Sequence, residues 1–209
     1  MKSFCQGVIL CNSAGRMLSA EEYQQELAET GGTLREVMET KGLETKKAPG
    51  QWVLDLFGDL IIGLLRPNVA SVTRKVYAIY PDQVDDRLVE NIIRDSKDPG
   101  GYHVIAAGAK LPPPRTKNEL FAEFGGPVLV AQGLDDPLGG GQARRRYDVY
   151  KEAHPDSDQV RLVGLEAGHC PHHEVPELYS NAVRNFVKDV VSGAYPEVAE
   201  EAPKQVTTR

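Results

Sequence analysis

The 209-residue sequence is poor in cysteine: it contains only Cys5, Cys11 and Cys170, and no C-x-x-C pair. An odd number of cysteines without such a pair gives little support to a disulfide framework. We therefore expect an intracellular protein of a reducing compartment, such as the cytoplasm or a plastid. The residues that follow Met1 contain no readable targeting segment.

The sequence also lacks an excess of basic residues and a long apolar run. Its 24 lysines and arginines stand against 30 acidic residues, which gives a net charge of −6. Nucleic acids and anionic membrane surfaces are poor partners for such a chain, because both attract clustered positive charge. The longest apolar run, residues 60–65, is far shorter than the roughly 20 residues that cross a bilayer, so we expect a soluble protein without a membrane span.

The overall composition is that of a globular protein, with 41% hydrophobic and 26% charged residues. A chain of this length is sufficient for one domain with a sizeable core. We expect this domain to cover residues 1–195 and to be followed by a polar, disordered tail at residues 196–209.

Strand and helix signals alternate at both ends of the chain. Short apolar runs predict buried strands at residues 7–11, 127–132 and 160–165. Periodicity and end signals predict helices at residues 19–30, 51–65, 68–80, 82–97, 141–152 and 176–192, the first with a Ser19/Glu22 capping box. This order favours an α/β fold with about three parallel strands, flanking helices and an inserted helical cap at about residues 19–115.

Two of the predicted strands are followed by loops with chemically useful side chains. Asp135 and Asp136 follow the second strand, and His169 follows the third. Because ligands bind beyond the carboxyl ends of parallel strands, these loops would place an acid beside an imidazole at such a site. A carboxylate bonded to one ring nitrogen fixes the tautomer of a histidine that acts as a base through the other nitrogen.

These segments resemble the C-terminal part of an α/β-hydrolase. The resemblance rests on the G-x-x-D-P loop at residues 133–137, the AGHCPH loop 33 residues later, and the opening GVILCNSAGR, and it covers roughly residues 7–192. The residues around His169 are most similar to those of the plant, algal and cyanobacterial branch of this family, which includes pheophytin-cleaving hydrolases. The resemblance implies that Asp136 is the triad acid and His169 the triad base, with no cofactor or metal. It also implies hydrolysis of an ester or related bond in a small, apolar substrate.

The G-x-S-x-G nucleophile motif of that family is missing. The only glycine pair at that spacing, Gly164 and Gly168, has Glu166 at its centre. We therefore expect this chain to be the C-terminal half of a hydrolase and to be inactive alone. The strand at residues 7–11 would then lie at a sheet edge, where self-association or pairing with another chain is expected. A noncatalytic partner-binding remnant or a gene-model fragment is the alternative reading.

Several features have simpler explanations that stay open. Asp136 could merely form a turn before Pro137, and Asp135 is the second choice for the acid. Ser13 follows the first predicted strand and could be considered as a nucleophile, but it lacks the flanking glycines that a tight nucleophile turn needs. The residues around His169 could also bind a metal in a small metalloprotein, but the sequence has no second cluster of ligands to pair with them; this set comprises His169, Cys170, His172, His173 and Glu174.

Three further groups of residues are given structural roles. Cys5 and Cys11 are predicted to be small core residues. The run at residues 144–146, three arginines, is predicted to be the solvated start of a helix. The apolar residues Trp52, Leu56 and Phe57 are predicted to form the core of the cap, with a lining for a bulky apolar substrate as the alternative.

Overall fold

A computed structural model of the chain describes residues 5–41, 50–98, 100–107, 114–138, 140–154 and 159–195. Its strands are β1 (Val8–Cys11), β2 (Val128–Gly133) and β3 (Val160–Leu165). Its helices are α1 (Ala20–Thr30), α2 (Leu34–Lys41), α3 (Gln51–Leu65), α4 (Val69–Val76), α5 (Asp86–Asp95), α6 (Gly101–Ala107), α7 (Lys117–Phe124), α8 (Ala143–Ala153), α9 (Pro171–Glu174) and α10 (Pro176–Val191). The predicted tail at residues 196–209 lies outside the described residues.

The three strands form one parallel sheet in the order β1-β2-β3. Val8 pairs with Val128, and Val128 pairs with Val160 on its other side. The predicted α/β class with three parallel strands is therefore confirmed. Helices α1 to α7 lie between β1 and β2 in the chain, and α1 to α6 fall within the predicted cap at about residues 19–115.

The core lies on both faces of β2, whose six residues are all buried. On one face Val128 and Val130 pack with Tyr150 of α8 and Val160 of β3. On the other face Ala131 packs with Leu165 and with the partly buried side chains around α10. A strand covered on both faces is apolar throughout, which is why residues 127–132 read as a continuous apolar run.

The prediction of regular structure is most accurate where local signals mark both ends of an element. The Ser19 side chain accepts a hydrogen bond from Glu22 N while the Glu22 carboxylate accepts one from Ser19 N, and α1 begins at the next residue. The predicted bounds of α3 are also confirmed. The helices predicted over residues 68–80 and 82–97 are shorter, because the chain leaves α4 after Val76 and Asp85 caps α5.

The prediction that Trp52, Leu56 and Phe57 form the core of the cap is wrong. The face of α3 that packs is the opposite one, with Leu54 and Gly58 buried. Gly58 lies so close to α6 that a Cβ there would be 2.5 Å from the carbonyl oxygen of Tyr102. Trp52 is 74% exposed. None of the helices in the described part of the chain is long and apolar enough to cross a membrane.

Helix α7 carries a lysine into the interior beside the main core. Lys117 is only 6% exposed, and its Nζ donates to the carbonyl oxygen of Ser13 at 2.7 Å and to Oη of Tyr150 at 2.6 Å. Burial, together with the nearby positive charge of Arg146, lowers the pKa of Lys117 to about 8. The folded protein therefore releases this proton more readily than the unfolded chain does.

This difference makes stability depend on alkaline pH. The pKa of Lys117 is lower in the folded state, so the unfolded chain binds more protons between about pH 8 and 10.5, and stability rises across that range. We expect the unfolding free energy of the wild type to rise relative to that of Lys117→Met by about 2 kcal/mol, after allowance for partial solvation. Urea unfolding of both proteins at pH 7, 8, 9 and 10.5 measures this difference. A constant difference across that range would contradict the prediction.

Candidate functional site

The structure brings Asp136 and His169 into contact beyond the carboxyl ends of β2 and β3. The Nδ1 of His169 lies 3.1 Å from Oδ2 of Asp136. Asp136 is only 3% exposed, and its Oδ1 accepts a hydrogen bond from Leu138 N at 2.8 Å. The carboxylate is therefore held by its own loop in the orientation that meets the imidazole.

This contact selects the state of the histidine ring. With a proton on Nδ1, His169 donates to Asp136, and Nε2 is left with a lone pair that can accept a proton. Among the described residues, none hydrogen bonds to this Nε2, and about a third of the side chain is exposed. The pair has the geometry of a base and the carboxylate that orients it.

Helix α8 begins at Ala143, and Arg144 and Arg145 are exposed, so the prediction that this run is the solvated start of a helix is confirmed for these two residues. The side chain of Arg146 is only 34% exposed, and for this residue the prediction is wrong. The Nη2 of Arg146 lies 3.4 Å from Oδ2 of Asp136 and donates to the carbonyl oxygen of Leu138 at 3.1 Å. Arg144 pairs with Asp135 at 3.1 Å and with Glu166 at 2.8 Å. Asp135 thus pairs with Arg144, whereas Asp136 contacts both His169 and Arg146.

Asn12, directly after β1, joins the ends of the three strands. Its Oδ1 accepts from Gly133 N at 2.6 Å and from Gln132 Nε2 at 2.7 Å. Its Nδ2 donates to the carbonyl oxygens of Gly168 and His169 at 2.8 and 2.9 Å. All four hydrogen-bonding positions of the amide are therefore used. Its φ of 41° lies in the left-handed region, which asparagine tolerates better than most residues.

The backbone on either side of His169 is held by a buried carboxylate. Glu174 is 2% exposed; its Oε2 accepts from Gly168 N at 2.9 Å and its Oε1 from Cys170 N at 3.0 Å. These charge-assisted bonds fix the loop before and after the histidine. Glu174, considered from the sequence as a metal ligand, therefore has a positioning role in the structure.

The cap region contacts the histidine loop directly. His169 N donates to the carbonyl oxygen of Val76, the last residue of α4, at 2.9 Å. Gly168 lies so close to the end of α4 that a Cβ on Gly168 would be 2.5 Å from the same carbonyl oxygen of Val76. Next along the chain, Tyr77 is buried with its ring edge-on to His173, at 5.5 Å between centroids. The end of α4 therefore packs against the loop that carries His169.

In the described part of the chain, no hydrogen bond joins Ser13, Cys11 or Cys170 to the imidazole of His169. The Oγ of Ser13 donates to the carbonyl oxygen of Ala14 at 3.2 Å. Burial raises the pKa of both Cys11 and Cys170, so each is a protonated thiol at neutral pH. Cys5 is exposed, so the prediction that it is a core residue is wrong. The described residues contain no group of three His, Cys, Asp or Glu side chains arranged to hold a metal ion.

Sequence reasoning predicted that Asp136 and His169 lie side by side, but it missed the residues that hold their loops in place. Asn12 follows a predicted strand, and an asparagine directly after a strand is a signal for a left-handed residue. Glu174 bonds to backbone N–H groups four and six residues earlier, and Arg146 contacts Asp136 and Leu138 in the preceding loop. Neither contact was predicted from the sequence. No protein-family model matches this chain, and no curated protein is significantly similar to it. The α/β-hydrolase assignment therefore stays a prediction.

The role of Glu174 predicts that replacing its carboxylate by an amide of the same size lowers the stability of the protein. In Glu174→Gln, the side-chain amide would present its NH₂ group to one of the two backbone N–H groups that the carboxylate now accepts from. We expect a loss of about 1–3 kcal/mol in unfolding free energy, as for a buried donor left without its partner. Urea denaturation checks this, with exposed Glu90→Gln on α5 as the control, expected within about 0.5 kcal/mol of the wild type. Equal stabilities of the two variants would contradict the role of Glu174.

Proposed function

We propose that this chain carries the acid and the base of an α/β-hydrolase that cleaves an ester or related bond in a small, apolar substrate. The observation that supports it most is the 3.1 Å contact between Nδ1 of His169 and Oδ2 of Asp136, in the loops that follow two neighbouring parallel strands. The helical insertion between β1 and β2, which contacts the histidine loop through Val76, is consistent with a cap over the site.

In the proposed reaction His169 acts first as a base and then as an acid. Its Nε2 takes the proton from a serine hydroxyl as that oxygen attacks the carbonyl carbon of the ester, and later returns the proton to the leaving alcohol. Asp136 keeps the proton on Nδ1 and stabilises the imidazolium that forms in between. Three further residues act as positioning residues, because each contacts Asp136, His169 or their loops and none hydrogen bonds to Nε2; they are Asn12, Glu174 and Arg146.

The proposal places the serine outside the printed sequence. No G-x-S-x-G occurs in these 209 residues, and Ser13 bonds to its neighbour instead of to the histidine. The chain alone then has a base without an activated nucleophile, and we expect no ester turnover from it. Loss of a triad nucleophile elsewhere lowers turnover on the order of a million-fold.

The test uses a polypeptide extended by the coding sequence that precedes Met1, which the proposal expects to contain G-x-S-x-G. With p-nitrophenyl butyrate as substrate, we expect His169→Ala and Asp136→Asn each to lower kcat by about 10⁴-fold. His103→Ala on α6 is the matched control, since His103 is exposed and bonds only to Asp55 among the described residues. Steady-state kinetics of all four proteins gives the comparison.

Two results would contradict the proposal. One is ester turnover by the 209-residue chain alone that is abolished by His169→Ala, which would mean that the nucleophile lies within it. The other is an active extended polypeptide whose kcat is unchanged by both His169→Ala and Asp136→Asn.

A noncatalytic role in self-association is the second candidate, and the edge position of β1 favours it. The N–H of Val8 donates to Pro127 and that of Asn12 to Ala131, so alternate residues of β1 face β2. In a parallel ladder the intervening Ile9 therefore directs its N–H and C=O away from β2. Within the described residues, β2 is the only strand that pairs with β1. A second copy of this chain could pair there about a twofold axis.

Substitution of Ile9 tests this edge without disturbing the β2 ladder. Ile9→Pro removes only the outward N–H, and proline is tolerated on edge strands. If copies pair through β1, we expect the wild type and Ile9→Val to dimerise at concentrations where Ile9→Pro is monomeric. Size-exclusion chromatography with light scattering over a concentration series measures this. A monomeric wild type, or an Ile9→Pro variant that dimerises equally well, would rule out association through this edge.

A further inference from the structure

A cavity of about 570 Å³ lies beside the sheet, away from Asp136 and His169. Its volume falls in the range of small-molecule sites, which is roughly 300–1,000 Å³. One wall is the face of β1 and β2, and the facing wall is α7. The apolar side chains of these two walls are Val8, Leu10, Val128, Leu120, Phe121 and Phe124.

Lys117 brings the charge of an amine to this apolar cavity. An ammonium group has three donors, and two of them are used, by the carbonyl oxygen of Ser13 and by Oη of Tyr150. No described residue accepts the third. Ser13, Arg115 and Lys117 all belong to the cavity wall, so the polar groups of the lining adjoin its apolar side chains.

The charge of Lys117 has no carboxylate partner among the described residues. The other cation in the wall, Arg115, is held by Glu119 at 2.8 Å and by Glu123 at 2.5 Å. The charge that most affects Lys117 is that of Arg146, which is also positive. A buried cation without a counter-ion is costly, and an anion that enters the cavity would remove that cost.

We propose that this cavity binds a linear aliphatic carboxylate. One carboxylate oxygen of the ligand accepts a hydrogen bond from Nζ of Lys117, and its alkyl chain lies between α7 and the sheet. A monoanion fits because only one N–H of the amine is left, and because the fork of Arg115 is already occupied by two glutamates. A phosphate or a dianion would need several further donors. The apolar walls favour an alkyl chain over a polar body. This site is independent of the proposed hydrolase reaction.

Binding of [1-¹³C]octanoate to the full chain, followed by calorimetry and by the carboxylate carbon resonance, tests the proposal. We expect saturable binding of one octanoate per chain, at least about tenfold tighter than binding of 1-octanol, because the alcohol has the same chain without the charge. Butyrate should bind more weakly, since it leaves most of the apolar wall uncovered. Equal affinity for octanoate and 1-octanol, or no saturable octanoate binding, would overturn the proposal.

Two variants locate the site by different means. Lys117→Met keeps the length of the side chain but removes the charge, and we expect octanoate affinity to fall at least about tenfold while 1-octanol affinity stays the same. Leu120→Trp adds bulk on a side chain that is 42% exposed at the cavity wall, and we expect it to weaken both ligands. Lys188→Met, an exposed lysine on α10, is the matched control and should bind octanoate like the wild type.

The binding site can still be tested if one of the two variants fails to fold. Should Lys117→Met aggregate, Leu120→Trp and the comparison of octanoate with 1-octanol on the wild type still decide the matter. Wild-type octanoate affinity in a folded Lys117→Met or in Leu120→Trp would place the ligand elsewhere and overturn the site.

Discussion

The side-chain amide of Asn12 is the interaction on which the arrangement of the site depends. It accepts from Gly133 N at the end of β2 and donates to two carbonyl oxygens after β3, so one residue after β1 connects the ends of all three strands. The strand ends lie so close that a Cβ on Gly133 would overlap the carbonyl oxygen of Gly168. Parallel strands bring their carboxyl ends to one edge of the sheet, and this contact sets the spacing of the loops there.

The loop of His169 is held by a nearby residue, Glu174, and by two residues that are distant in sequence, Val76 and Asp136. Glu174 binds the backbone N–H groups on either side of the histidine, Val76 accepts its own N–H, and Asp136 orients its ring. Each contact satisfies a polar group that is wholly or partly buried, and such a group is costly to leave without a partner. The insertion between β1 and β2 is therefore part of the site, because the end of α4 is one of its walls.

Two buried charges among the described residues, Asp136 and Lys117, are partnered in different ways. Asp136 faces both the imidazole of His169 and the guanidinium of Arg146, so its charge is compensated within the fold. Lys117 has a carbonyl and a phenol oxygen as partners, and the described residues supply no carboxylate to it. The carboxylate of Asp136 therefore orients a neighbouring ring, whereas a buried cation without a carboxylate partner favours an anionic ligand. This contrast separates the two proposed sites of the chain.

Sequence patterns alone predict the three strands, the capped start of α1, the bounds of α3, and the loops that carry Asp136 and His169. Those features follow from hydrophobic runs, caps and turn residues, which act over a few neighbouring positions. The meeting of Asn12, Glu174 and Arg146 around the histidine depends on packing between elements, and so does the choice of Leu54 over Trp52 as the buried side of α3. Periodicity shows that a helix has apolar positions, but which of them are buried depends on the elements that pack against it.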